Sequence, residues 1–193
     1  MSRWQPNARG RLEQAAMELY AERGFEQTTA DEIAKRAGLT ERTFFRHYAD
    51  KREVLFGGAG ALQELFADTL ADIPASTAPM DAVETTLETV AAGFQGRHAF
   101  ARQRQAVITA NAELRERELV KLASLSATVA DALRRRGVKE PAASLAAEAG
   151  IAVFKVAFER WTASTGRRSL SAFVREALDE LKAVMAGTGG SPR

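Results

Sequence analysis

Apolar residues recur along this chain at intervals of three and four, and nowhere with the two-residue alternation of a half-buried strand. Leu12, Ala15, Ala16, Leu19 and Tyr20 mark one face of a helix expected over about Asn7 to Arg23, with Gly24 ending it. Thr29 followed by Glu32 has the spacing of a capping box, which predicts a second helix with Ile33, Ala34 and Ala37 inward and Gly38 closing it. Thr40 is the N-cap candidate for a third helix reaching Tyr48. Asp50 and Glu53 repeat the capping-box spacing and predict a fourth, carrying Val54, Leu55, Leu62, Phe66 and Leu70 as far as the loop "DIPASTAP".

The later pattern predicts helices over roughly Met80 to His98, Phe100 to Asn111 and Glu113 to Arg136, then from Pro141 to about Thr165, and a strongly amphipathic one from Leu170 to Met185. The expected fold is all-α with about nine helices: a three-helix head over residues 1–50, a larger helical body over 51–186 and a tail over 187–193. Arg134, Arg135 and Arg136 ahead of Gly137 suit the last turn of a helix, where cations complement its dipole; a phosphate site is the alternative reading of the triple.

The stretch "GLTERTFFRHY", residues 38–48, concentrates rings and cations in a chain with few aromatics. At about 100° per residue, Phe44 and Tyr48 fall on one side of the third helix, while Arg42, Thr43, Arg46 and His47 lie opposite. The second side offers groups able to bond phosphates and base edges. Small Ala34 allows two helices to cross closely, and Gly38 suits the tight turn between them, as a helix-turn-helix requires. A plain helical hairpin with a solvated basic face has the same pattern.

Charge adds little to this picture. The formal net charge is +2, and residues 1–56 hold 10 Lys/Arg against 9 Asp/Glu, so affinity for a polyanion depends on arrangement. There is no cysteine, which excludes disulfides, thiolate metal sites and cysteine nucleophiles. His47 and His98 lack a second ligand at familiar metal spacing, and no nucleophile elbow, phosphate loop or dinucleotide fingerprint occurs. No metal, cofactor or enzymatic activity is expected. The N-terminal stretch does not read as a secretory signal and no apolar run has membrane-spanning length, so a cytoplasmic location away from the membrane is expected.

Residues 25–55, "FEQTTADEIAKRAGLTERTFFRHYADKREVL", resemble the DNA-binding head of the TetR family of bacterial repressors, and the helical remainder resembles that family's layout. The resemblance implies a homodimer on double-stranded operator DNA, with Arg42, Thr43 and His47 as base or phosphate contacts beside Arg46. It further implies phosphate contacts from Thr28 or Thr29, from Thr40 and from Lys51. Phe45 stands where the family usually carries tyrosine; a phenyl ring donates nothing, which leaves Phe45 to pack on sugar or a thymine methyl. Tyr48 stands where phenylalanine is commoner, and its hydroxyl requires water or a partner.

The resemblance also implies a small-molecule effector held in the body. Phe66, Leu87, Phe94, Val107, Leu122, Leu125, Phe154, Phe158 and Trp161 are apolar at helical spacing, as pocket lining or as plain core. The segments "ITANAELRERELVKLASLSATVADALRRRG" and "FERWTAS" more loosely resemble TetR members with an acyl-CoA-like ligand domain, which implies Arg102, Arg104 or Arg115 at a charged headgroup. The small-residue run Ala142 to Ala152 allows close helix approach and the final helix is apolar over a wide face, which suits either pairing of two copies or a monomeric core. Val156, Phe173, Ala177 and Leu181 are the interface candidates. Two other classes remain: a small-molecule-binding or adaptor protein whose head no longer recognises DNA, and an enzyme on the same scaffold.

Overall fold

Capping chemistry starts the first three helices. In the computed structural model, which describes residues 7–188, the Asn7 side chain accepts from the Gly10 N–H at 2.9 Å and opens α1 (Ala8–Arg23). The Thr29 hydroxyl accepts from Glu32 N–H at 3.3 Å while the Glu32 carboxylate takes the Thr29 N–H at 3.0 Å, so the expected capping box starts α2 (Ala30–Arg36). That bond to the Thr29 backbone, first, and those from the Thr29 hydroxyl and Arg23 hold Glu32 below the ordinary carboxylate range. Thr40 caps α3 (Glu41–His47) through the Thr43 N–H at 3.2 Å. Gly38, between α2 and α3, has a φ of +66°, a conformation that costs other residues strain.

The fourth helix departs from expectation. Asp50 caps as predicted, accepting from the N–H groups of Arg52 and Glu53, but only a 3₁₀ turn (Glu53–Phe56) follows. Gly57 and Gly58 follow as turn residues, Gly57 with a helical φ of −56° and ψ of −27°, and α4 covers Ala59–Asp72. A Cβ on Gly57 would lie 3.0 Å from the Tyr48 ring and 3.1 Å from both Arg9 and Glu13, so this position has little room for a side chain. After α4 come α5 (Pro79–Ala92), α6 (His98–Ala110), α7 (Ala112–Arg135), α8 (Ala142–Ala163) and α9 (Leu170–Met185). His98 thus begins α6 rather than ending α5. The fold is all-α, with no strand among the described residues.

The chain divides into two compact units, one running to Ala59 and including Gln103–Glu118, the other comprising Gly60–Arg102 and the chain from Leu119 onward. Residues 51–59 and 103–118, expected in the body, therefore belong with the head. The first unit's core gathers Leu12, Leu19, Ile33, Phe44 and Tyr48 with Val54, Leu55, Phe56, Ile108 and Leu114. Full burial of each large side chain is worth about 1.5–3 kcal/mol. Ala34 is fully buried there, consistent with the small contact that close helix crossing needs.

Long-range polar ties hold residues 50–56 to the far segment of this unit. Arg52 pairs with Asp50 and Glu113, Arg117 bonds Glu53 at 2.7 Å, and Arg104 donates to the Leu55 carbonyl at 2.6 Å and reaches Glu118 at 3.3 Å. Arg104 also lies over the Phe56 ring, and its burial lowers its proton affinity against the opposing pull of Glu118.

In the second unit α8 packs along α9 and α5. Gly150 has no room for a side chain: a Cβ there would come within 2.4 Å of Val83. Arg136 caps a helix, but not its own. Its guanidinium donates to the carbonyls of Leu70, Ile73 and Pro74 at the end of α4, while Arg134 pairs with Asp131 and Glu140.

Candidate nucleic-acid interface

The sequence of α3 sorts itself into an anchor and a display. Phe44 is fully buried, edge-on to Phe45 at 5.3 Å and 5.8 Å from Tyr48, which roots the helix in the first unit's core. Tyr48 finds its partner within the head: its hydroxyl donates to Glu13 at 2.8 Å and receives the Arg9 Nε–H at 3.3 Å. Burial, reinforced by the bond to Glu13, raises the Tyr48 phenol above its ordinary value, so the group stays neutral and keeps donating.

Arg42, Phe45, Arg46 and His47 are exposed along α3, with Thr43 half-buried beside them. The structure brings these five together on one helix face. Thr40 and Thr43 join them through an Oγ1 to Oγ1 contact of 3.0 Å, and Thr40 is exposed at the helix start. Two guanidiniums, an imidazole and hydroxyls on a helix of this length match what a major groove accepts and what phosphates attract.

The other expected phosphate contacts, Thr28, Thr29 and Lys51, are all engaged in bonds within the chain. Thr28 is 1% exposed and its hydroxyl donates to the Gly24 carbonyl at 2.9 Å, so it closes the turn after α1 and faces inward. Thr29 remains exposed, its hydroxyl engaged in the α2 cap. The Lys51 ammonium donates to the carbonyls of Phe25, Glu26 and Thr28 at 2.9, 3.2 and 3.0 Å and sits 4.4 Å from the Phe25 ring centre. Three N–H groups for three carbonyls leave none for a phosphate.

Lys51 therefore reads as a clamp on the turn that positions α2. Lys51→Met is expected to cost about 1–2 kcal/mol of stability through the stranded carbonyls. A urea titration checks this, together with the salt dependence of DNA binding, whose slope should be unchanged. A slope smaller by about 0.9 with stability intact would instead place the ammonium on a phosphate.

In the second unit, Phe66, Leu87, Phe94, Leu122, Leu125, Phe154, Phe158 and Trp161 fall in a single apolar cluster. An aromatic series runs through it, from Phe66 to Phe154 at 5.9 Å, Phe154 to Phe94 at 6.2 Å, Phe94 to Phe158 at 5.7 Å and Phe158 to Trp161 at 5.6 Å. His98 stands at its end, 4.9 Å from the Trp161 ring. Val107 is the exception: it packs against the first unit's core. Arg104 is likewise committed to Leu55 and Glu118, and Arg115 to the Thr109 carbonyl at 2.7 Å, while Arg102 is exposed. A separate recess of about 260 Å³ between α7 and α8 is lined by Ala123, Ser126, Ala127, Ala130, Ser144 and Glu148, none of them an expected ligand contact.

The interface candidates also separate. Phe173 and Ala177 are buried in the second unit's own core, and Leu181 packs against it. Of the set, Val156 is exposed, and on the same side of α8 stand Leu145, Ala149 and Ala152 at spacings of three and four. Leu145 at 66% and Val156 at 47% exposure are large apolar side chains facing solvent; Val184 and Met185 at the end of α9 are too. Among the described residues, no helix is long and apolar enough to cross a membrane.

Comparison with known proteins agrees with this anatomy. The sequence profile of the tetR family of bacterial regulatory proteins matches residues 13–56, and that of the MftR C-terminal domain matches residues 77–186. The HTH-type transcriptional regulator TcmR of Streptomyces glaucescens is 37% identical over 82 residues, 42% of this chain and 36% of that protein. The putative mycofactocin biosynthesis transcriptional regulator MftR of Mycobacterium tuberculosis is 41% identical over 46 residues, 24% of this chain and 23% of that one. The chain thus aligns with well under half the length of either relative. Solved structures share the fold: a putative TetR-family regulator from Syntrophomonas wolfei (TM-score 0.64, 14% identity, 94% of this chain and 96% of that one) and the fatty acid degradation regulator FadR of Bacillus halodurans (0.62, 16%, 92% and 95%). FadR of Bacillus subtilis, solved with stearoyl-CoA, also shares it (0.59, 21%, 89% and 96%). With a helix-turn-helix profile over its head and an MftR-type profile over more than half its length, this chain belongs to the TetR family of bacterial transcriptional regulators.

Proposed function

We propose that the chain is a cytoplasmic repressor that binds a palindromic operator as a homodimer and releases it when a small molecule occupies the second unit. The observation that carries the DNA reading is the division of α3 into a buried Phe44 and an exposed row of Arg42, Arg46 and His47. Pairing two copies through the side of α8 that carries exposed Leu145, Ala152 and Val156 and half-buried Ala149 would offer two such helices, about 34 Å apart if they meet successive major grooves. The apolar stripe supports that pairing, because a solvent-facing row of this kind gains from being covered.

The effector is proposed to be an acyl-chain compound of acyl-CoA type, since the aromatic and aliphatic cluster around Phe94, Phe154 and Phe158 is long, continuous and only partly closed at Phe94 and Phe158. Its effect on DNA equals its differential affinity for two states of the dimer, typically about 1–3 kcal/mol of coupling. α6 and α7 each contribute residues to both units, and within the first the bonds of Arg52, Arg104 and Arg117 tie these helices to residues 52–55, which supports them as carriers of that shift.

Selection from random duplex DNA at two salt concentrations tests the reading. The expected product is one palindrome with a half-site spacing near 10 base pairs or a close multiple, displaced by acyl-CoA thioesters. Salt-insensitive binding, or enrichment of no sequence, would favour a small-molecule-binding protein with an inactive head.

A further inference from the structure

We infer that Phe45 reads a thymine in each half-site by its 5-methyl group, an inference that rests on the DNA-binding reading above. Phe45 is 52% exposed on a helix whose other exposed side chains are charged or polar. A phenyl ring held in water on such a face gains from contact with an apolar partner. The ring is also oriented: it stands edge-on to Phe44, at 83° and 5.3 Å, and Phe44 is itself immobilised in the core. An apolar contact made by an oriented ring loses little side-chain freedom on binding.

Of the two apolar partners open to Phe45, sugar and thymine methyl, the methyl alone belongs to a base edge and carries sequence information. Base edges in the major groove present donors, acceptors and the thymine methyl, and a phenyl ring complements only the last of these. The position on the helix agrees. At about 100° per residue, Phe45 lies at the margin of the exposed face, with Arg42 about 60° and Arg46 about 100° further round. The middle of the face meets the hydrogen-bonding edges; its margin meets the wall of the groove. The thymine methyl projects at that wall, next to the backbone of its own strand. Arg42 and Arg46 are thus placed for donor and acceptor edges and Phe45 for the methyl group, giving the two kinds of readout to different residues of one helix.

The test uses the full-length protein and its selected operator, with each thymine of a half-site replaced in turn, symmetrically, by deoxyuridine, which removes the methyl and nothing else. One pair of substitutions should weaken the wild type by about fourfold per half-site, the value of burying one methyl-sized group. Phe45→Ala should bind thymine and uracil operators alike, and Phe45→Leu, which restores an apolar contact, should recover part of the difference. Circular dichroism confirms that the exposed substitution leaves the helices intact. Wild-type binding that is sequence-selective yet unchanged by uracil at every position would overturn the inference while leaving the regulator reading in place. A uracil effect that survives in Phe45→Ala would assign the methyl to another side chain and overturn it equally. Failure to select any operator would bring down both readings together.

Discussion

Phe44→Ala should cost the first unit about 3–5 kcal/mol and abolish operator binding, although it changes no residue on the exposed face of α3. The side chain is fully buried, edge-on to Phe45 and in ring contact with Tyr48, so truncation leaves a cavity among aromatics that a helix of seven residues has little means of closing. Domains of this size carry a total stability of about 5–15 kcal/mol, which makes the loss a large fraction of what holds α3 in place. Urea titration of the full-length protein should show the effect in the transition that DNA-binding activity follows. Phe44→Leu, which fills more of the space, should lose distinctly less. Wild-type stability with lost DNA binding would mean that Phe44 itself touches DNA.

Val156→Glu should convert the proposed dimer to monomers and lower operator affinity on the order of a hundredfold or more, with the helical content unchanged. Val156 faces solvent, so the substitution leaves the core of its own chain intact. Where two copies pair about a two-fold axis, each residue of the interface is presented twice, and one substitution puts two carboxylates into the same apolar seam. The affinity falls because a monomer engages one half-site and forfeits the second as an effectively intramolecular event. Sedimentation and anisotropy on the same samples separate the two effects. A dimer that survives Val156→Glu would move the interface off this side of α8.

Much of this architecture was legible in the sequence because it is encoded locally. The Thr29–Glu32 box, the Thr40 cap and the turn at Gly38 each depend on residues within a few positions of one another, and each appears where its spacing places it. Both capping carboxylates, Glu32 and Asp50, are held below their ordinary range, Glu32 first by the Thr29 backbone and Asp50 first by Arg52. Their capping contributions are therefore present at neutral pH and are lost as the pH falls through the lowered folded-state values.

What stayed hidden depends on distant partners. Gly57 sits tightly against Tyr48, Arg9 and Glu13, and the Lys51 ammonium bonds carbonyls more than twenty positions away. Val107 has the same apolar character as its supposed pocket neighbours, and only the return of residues 103–118 to the head separates it from them. Phe173 and Ala177 were candidates for a partner because α9 is apolar over a wide face, but α8 and α5 of the same chain already cover that face. Arg134 and Arg135 stand in the last turn of α7 as the triple predicts, whereas the bonds of Arg136 to the Leu70 and Pro74 carbonyls depend on a segment more than sixty positions away.

The measurement that tests the account most directly is the affinity of wild type and Arg42→Ala for the selected operator and for a random duplex of equal length, at one salt concentration. The exposed Arg42 on α3 is expected to pair with a guanine. Its loss should cost about 1–3 kcal/mol per half-site on the operator, relax the preference at one base position and change random-duplex binding little. Equal losses on both duplexes, with the base preference intact, would contradict the claim that α3 reads sequence.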